Sequence, residues 1–108
     1  MKRWLGIFCV TVFGLWASSA SAATLKPLAS SGDWTSEPIF ATAPPNDGRV
    51  FVVERGNAAS HQASIRIVED GVIQTEPFLT VPNVDLTGER GLLSMAFAPD
   101  YATSGLFY

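Results

Sequence analysis

Cysteine is almost missing from this chain: Cys9 is the only one in 108 residues, and it lies inside the first apolar run. Once that run is removed no thiol remains and no disulfide can form, so stability has to come from a packed core. Three motifs are also missing: a Gly-rich phosphate loop, a nucleophile elbow, and a calcium loop with carboxylates at alternating positions around a glycine. Basic residues are few, seven against ten acidic ones, and Lys2 and Arg3 lie at the extreme N-terminus. Without those two the balance is five basic against ten acidic side chains. Such a surface repels phosphate backbones and excludes nucleic acid as a partner.

The N-terminus itself has a recognisable order. Lys2 and Arg3 precede the charge-free run Leu5 to Ala17, and Ser18-Ser19-Ala20-Ser21-Ala22-Ala23 follows. This is the basic, apolar and small-residue sequence of a secretory signal peptide, residues 1–22, with Ala20 and Ala22 at the A-x-A positions. The apolar run has thirteen residues, whereas a helix needs about 20 to cross a bilayer. A lipoprotein anchor would need small residues before Cys9, and Ile7-Phe8 stand there. The expectation is therefore export, to the periplasm or the outside, with no membrane anchor left after cleavage.

The remainder opens with a mixed lead-in, residues 23–36, that contains Pro27 and Gly32-Asp33. Beyond it helical periodicity is hard to find. Arg49-Val50-Phe51-Val52-Val53-Glu54 is a β-branched and aromatic run between Asn46-Asp47-Gly48 and Gly56-Asn57, which reads as a strand between turns. Ser64 to Glu69 is a second strand, and Asp70-Gly71 turns it into Val72-Ile73. Pro77 to Val81 is a further strand stopped by Pro82-Asn83, and Gly91 to Ala98 is a longer apolar run ended by Pro99-Asp100. In the last of these, alternation places Leu93, Met95 and Phe97 on one side and Leu92 on the other. Asn57 to Ala63, which holds the single histidine His61, reads as a polar loop inserted between strands. Five short strands in succession predict an all-β antiparallel fold.

An internal repeat refines the prediction. Ala43-Pro44, a polar turn, Gly48 and Val50-Phe51-Val52 recur as Ala98-Pro99, a polar turn, Gly105 and Leu106-Phe107-Tyr108. Phe51 and Phe107 are 56 residues apart with about four strands between the copies, the pattern of one propeller blade with a loop inserted.

The block Gly88-Glu89-Arg90-Gly91-Leu92-Leu93-Ser94-Met95-Ala96-Phe97-Ala98-Pro99-Asp100-Tyr101 resembles a segment of the glucose/sorbosone dehydrogenase family, Gly-(Glu/Gln)-x-Gly-Leu-Leu-Gly-x-Ala-Phe-x-Pro-Asp-Phe. Ala43 to Arg55, Ile65-Arg66-Ile67 and Phe78-Leu79 resemble that family's neighbouring strands in the same order, so the likeness covers residues 37–108. Two departures are Ser94, where the family has Gly, and the longer stretch Asn57 to Ala63. The resemblance implies the first blade and the start of the next in a six-bladed β-propeller. It implies an aldose substrate, pyrroloquinoline quinone and calcium as cofactors, and hydride transfer from the anomeric carbon to the quinone while a histidine takes the hydroxyl proton. In the family that histidine, the quinone-binding arginines and lysine, and most calcium ligands follow the Gly-Leu-Leu block, so the expectation is an N-terminal fragment, inactive alone. Fold does not decide use, and the alternative is a non-catalytic propeller that binds a glycan or a protein.

On this likeness Glu89 is the one candidate site residue, its carboxylate orienting a sugar hydroxyl beside the quinone. A solvated charged turn, Glu89 with Arg90, is the plainer alternative. His61 precedes the block, whereas the family's base follows it, so it is expected to be an exposed loop residue. Asp70, Asp85 and Asp100 adjoin glycine or proline or lie close to them and suit turns rather than metal. The leader makes the first prediction: mass spectrometry of the exported protein should find Ala23 as its first residue, and a product that retains Met1 at the membrane overturns it.

Overall fold

The computed structural model describes residues 22–30 and 32–108. The expected leader, with Cys9, lies outside the described residues but for Ala22. The fold is all-β: five strands form one antiparallel sheet, and the only helix among the described residues is the four-residue α1, Tyr101–Ser104.

Two long strands carry the sheet. β2, Val50–Asn57, and β3, Gln62–Glu69, run antiparallel with Phe51 opposite Ile67, Val52 opposite Arg66, Val53 opposite Ile65 and Glu54 opposite Ser64. Side chains alternate between faces, so Phe51, Val53 and Ile65 project to one side, and Val52, Glu54, Ser64, Arg66 and Val68 to the other. Residues 58–61 connect the two strands. Asn57 Oδ1 accepts the amides of Ala59 at 2.9 Å and Ser60 at 3.2 Å, and the His61 amide donates to Asn57 O at 2.8 Å. The expected inserted loop is thus a compact hairpin, because Asn57 caps it with its own side chain.

β1, Pro38–Thr42, pairs with the outer side of β2. It lies between the lead-in and Ala43-Pro44, where no strand was expected from the sequence. β4, Val72–Ile73, follows Asp70 and Gly71, whose φ values of 52° and 77° are those of a type I′ hairpin turn. β5, Leu79–Val81, pairs with the other half of β3 along the same edge as β4. Val68 faces Ile73 but Ile65 faces Leu79, so Thr75 to Pro77 bulge out of what is otherwise one continuous fourth strand. Pro77 has no N–H to give to the ladder. The buried Arg66 closes the gap by donating from Nη2 to the carbonyls of Gln74 and Thr75.

Each face has its own apolar cluster. Phe51, Val53, Ile65 and Met95 form one, with Phe78, Leu92, Phe97 and Phe107 packed against it. Phe51 meets Phe78 and Phe97 edge-on, both with ring centroids 4.9 Å apart, the arrangement that suits aromatic quadrupoles. Both copies of the repeated aromatic, Phe51 and Phe107, therefore belong to one cluster. On the opposite face Val52, Val68 and Ile73 gather with Ala29 against them. The lead-in crosses that face as a strap, with the Ser30 amide bonded to Gly71 O at 2.8 Å.

The run Gly91 to Ala98 corrects the sequence reading. It is not a strand of the sheet: Phe97 alone forms a bridge, to Phe107, while Ala96 and Tyr108 exchange amide–carbonyl bonds. Met95 and Phe97 share the core side as the alternation predicts, but Leu92 packs on the Phe51 cluster with them and Leu93 is 55% exposed, the reverse of what was expected for that pair. The cause is local, since Gly91 at φ 147° turns the chain and the Leu92 amide is drawn to Arg55 O at 3.0 Å. Phe51, fully buried at the centre of the larger cluster, generates the prediction here. Phe51→Ala should cost about 3–5 kcal/mol, read as a lowered urea midpoint at unchanged slope; a loss below about 1 kcal/mol contradicts the packing described.

Candidate functional site

Glu89 stands at the tip of the turn between Thr87 and Gly91 and is exposed. The turn is built from short-range bonds. Asp85 Oδ1 accepts the Thr87 amide at 2.9 Å, and Arg90 donates its amide to Thr87 O at 3.3 Å. Asp85 Oδ2 pairs with Arg90 Nη1 at 2.6 Å. Hydrogen bonds from Thr87, and then from the Arg90 guanidinium, hold the Asp85 carboxyl below its ordinary value. Asp85 thus serves its own turn, as the sequence suggested. Its pairing also occupies the cation next to Glu89, whose carboxylate has no hydrogen bond or ion pair among the described residues.

Beneath the turn lies Arg55, at the end of β2. Its Nε donates to Arg90 O at 3.0 Å, and its Nη2 donates to Leu86 O at 3.4 Å and to Gly88 O. Nη1 reaches Glu37 Oε2 at 3.5 Å. Backbone contacts reinforce these: Arg55 O accepts the Leu92 amide, and the Arg55 amide donates to Glu37 O at 2.9 Å. Gly91 lies so close that a Cβ there would stand 2.7 Å from both Arg55 Cγ and Arg55 O. Glycine is required at this position twice over, by that approach and by its φ of 147°.

The preceding residue, Glu54, points to the opposite face and is fully buried. Its Oε1 accepts the amides of Thr35 at 2.6 Å and Ser36 at 3.1 Å; its Oε2 accepts the hydroxyls of Thr35, at 2.6 Å, and Ser64. Burial works to raise the Glu54 carboxyl, but the bonds from Ser64, Thr35 and Ser36 prevail and hold it below its ordinary value. A buried carboxylate with four donors is a fastening, and what it fastens is the strap. Gly56 N adds a bond to Ser36 Oγ at 3.1 Å and Asn57 Nδ2 one to Thr35 O at 3.2 Å.

The other candidates are scattered. His61 is exposed in the hairpin, and its carbonyl accepts the Val84 amide at 2.9 Å. Asp70 forms its turn, and Asp100 Oδ1 accepts the Ser104 hydroxyl at 3.1 Å. Among the described residues no three His, Cys, Asp or Glu side chains gather as a metal site, and no helix is long and apolar enough to cross a membrane. Glu54 and Arg55 went unnoticed in the sequence. The signal was there: two opposite charges ending a run of buried β-branched residues, on successive positions that a strand must send to opposite faces. Comparisons with family models, with curated proteins and with solved structures return no match to this chain.

Glu54 makes a pH prediction. A carboxyl held below its ordinary 4.5 contributes stability that is present above that pH and is lost as the pH falls through the lowered folded value. Glu54→Gln should cost about 2 kcal/mol at pH 7, in the range for bonds to a charged group. Its urea midpoint should also fall less than the parent's between pH 7 and pH 3, and equal falls in the two proteins contradict the assignment.

Proposed function

We propose that this chain is the opening part of an exported β-propeller sugar dehydrogenase of the glucose/sorbosone type, and that Glu89 presents its carboxylate to the sugar. The observation that carries the reading is the state of Glu89. Its neighbour Arg90 is neutralised by Asp85, the turn is bonded from below, and the Glu89 carboxylate stands exposed and unpaired. A four-stranded antiparallel unit in which β4 and β5 share one edge agrees with a blade, and the order of landmarks from Ala43 to Tyr101 agrees with the family.

In this reading the carboxylate accepts a hydrogen bond from a sugar hydroxyl and fixes the direction in which the hydroxyl's proton must leave, a positioning role. A free carboxylate is suited to it, because every lone pair is available to the substrate. Pyrroloquinoline quinone, the hydride acceptor of such enzymes, and calcium are not fitted by the described residues. No cluster of carboxylates would take calcium, and the guanidinium groups of Arg55 and Arg90 are engaged with backbone carbonyls and Asp85 rather than open to the quinone's carboxylates.

The test is aldose oxidation by the full-length protein, reconstituted with quinone and calcium, with a dye as electron acceptor. Glu89→Ala should leave the fold intact and lose one hydrogen bond to a charged group, about 1.5–3 kcal/mol. That corresponds to roughly a ten- to hundred-fold slower rate. An unchanged rate returns Glu89 to a solvated turn, and a parent that oxidises no aldose but retains a glycan overturns the enzyme in favour of a binding propeller.

A further inference from the structure

The geometry points to Arg55 as the residue that sets the position of Glu89: we propose that it is a positioning residue, acting through the turn rather than on the substrate. The inference rests on the reading of Glu89 as substrate-facing only for its consequence in catalysis. The positioning itself stands on the bonds of one side chain.

Arg55 touches the Glu89 turn on both sides of its tip. Nη2 takes Leu86 O and Gly88 O before Glu89, and Nε takes Arg90 O after it, at 3.0 Å. Carbonyls that converge on one point would repel one another unless a cation stood among them, and a planar fork with five N–H groups can meet several at fixed angles. The main chain of Arg55 adds a further hold through the Leu92 amide, and the close approach of Gly91 to Arg55 Cγ leaves no room for the turn to slide. Glu89 itself contributes nothing to this, since its carboxylate has no hydrogen bond among the described residues. The place of the Glu89 backbone, from which its carboxylate extends, is thus set from below by Arg55.

The cation is in turn held by the sheet. Its amide is bonded to Glu37 O, and Glu37 Oε2 stands 3.5 Å from Nη1. Lysine cannot replace it, because an ammonium is a single point at the end of a flexible stem and cannot span carbonyls on both sides of the tip.

Two measurements on the full-length protein test this. Hydrogen exchange at the amides of Arg90 and Leu92 reads the turn directly. Arg55→Gln should speed exchange there by about ten-fold or more while the amides of Val53 and Ile65 keep their protection. Unchanged exchange at Arg90 and Leu92 overturns the proposal, whatever the activity. The second measurement is a double-mutant cycle on aldose oxidation with Glu89→Ala. If Arg55 acts through Glu89, Arg55→Gln lowers kcat by about ten-fold with little change in KM, and adds nothing once Glu89 is Ala. Losses that multiply overturn the positioning role and leave Arg55 a general stabilising residue. Arg55→Lys should resemble Arg55→Gln rather than the parent in both measurements, and full restoration by lysine overturns the fork. A parent protein without aldose oxidation refutes the reading of Glu89 alone, because the exchange result still decides whether Arg55 fixes the turn.

Discussion

Successive residues of a strand must point to opposite faces, and at the end of β2 that constraint is given two opposite charges to distribute. Glu54 goes to one side and Arg55 to the other. Each becomes the fastening point for a segment that has no regular structure of its own: the strap around Thr35 and Ser36 for Glu54, the turn from Leu86 to Gly91 for Arg55. The apolar positions just before them, Phe51 and Val53 toward one face and Val52 toward the other, obey the same alternation and found the two clusters. A shift of register by one residue would exchange the faces of all five side chains together. The register of β2 is therefore the single condition on which core, strap and turn depend.

Polar groups inside this sheet are used where irregular backbone has to be held. Arg66 fills the bulge at Thr75 to Pro77 by bonding two carbonyls that the interrupted ladder leaves free. Glu54 takes two amides and a hydroxyl from Thr35 and Ser36 of the strap, which no strand pairs with, and a second hydroxyl from Ser64 opposite it in β3. Burying a charge costs several kcal/mol unless its hydrogen-bonding capacity is filled, and for Glu54 it is filled on both oxygens. Arg66 is less complete, since its Nε is buried without a partner among the described residues.

What the sequence made legible follows from the range of the forces involved. β2, β3 and the Asp70-Gly71 turn were readable because their signals are local: β-branched residues, alternation and a two-residue turn. β1 was not, because Ile39-Phe40-Ala41-Thr42 is short, lies between prolines, and is a strand only because β2 offers it an edge. Gly91 to Ala98 was misread for the converse reason. Its composition is that of a strand and Met95 and Phe97 do face the core, yet Gly91 and the pull of Arg55 on the Leu92 amide break the alternation at its start, so Leu92 packs and Leu93 does not. Glu89 was singled out by resemblance alone and by no local signal, whereas the residues that hold its turn and the strap could be found only once distant segments had been brought together.

Glu89 and Glu54 show how one side-chain type is left in two different states by its surroundings. Glu54 is surrounded by donors, and every lone-pair direction that could serve a ligand is already spent on Thr35, Ser36 and Ser64. Its value lies in not being available. Glu89 has the same carboxylate with none of those bonds; the cation next to it in sequence, Arg90, is turned toward Asp85, and the guanidinium of Arg55 is bonded to backbone carbonyls of the turn. Because Arg55 bonds carbonyls of the turn and not the carboxylate, it holds the backbone on either side of Glu89 without using the side chain's acceptor capacity. A group placed by its backbone and left free at its tip can give its whole hydrogen-bonding strength to a substrate, without first breaking a bond inside the protein.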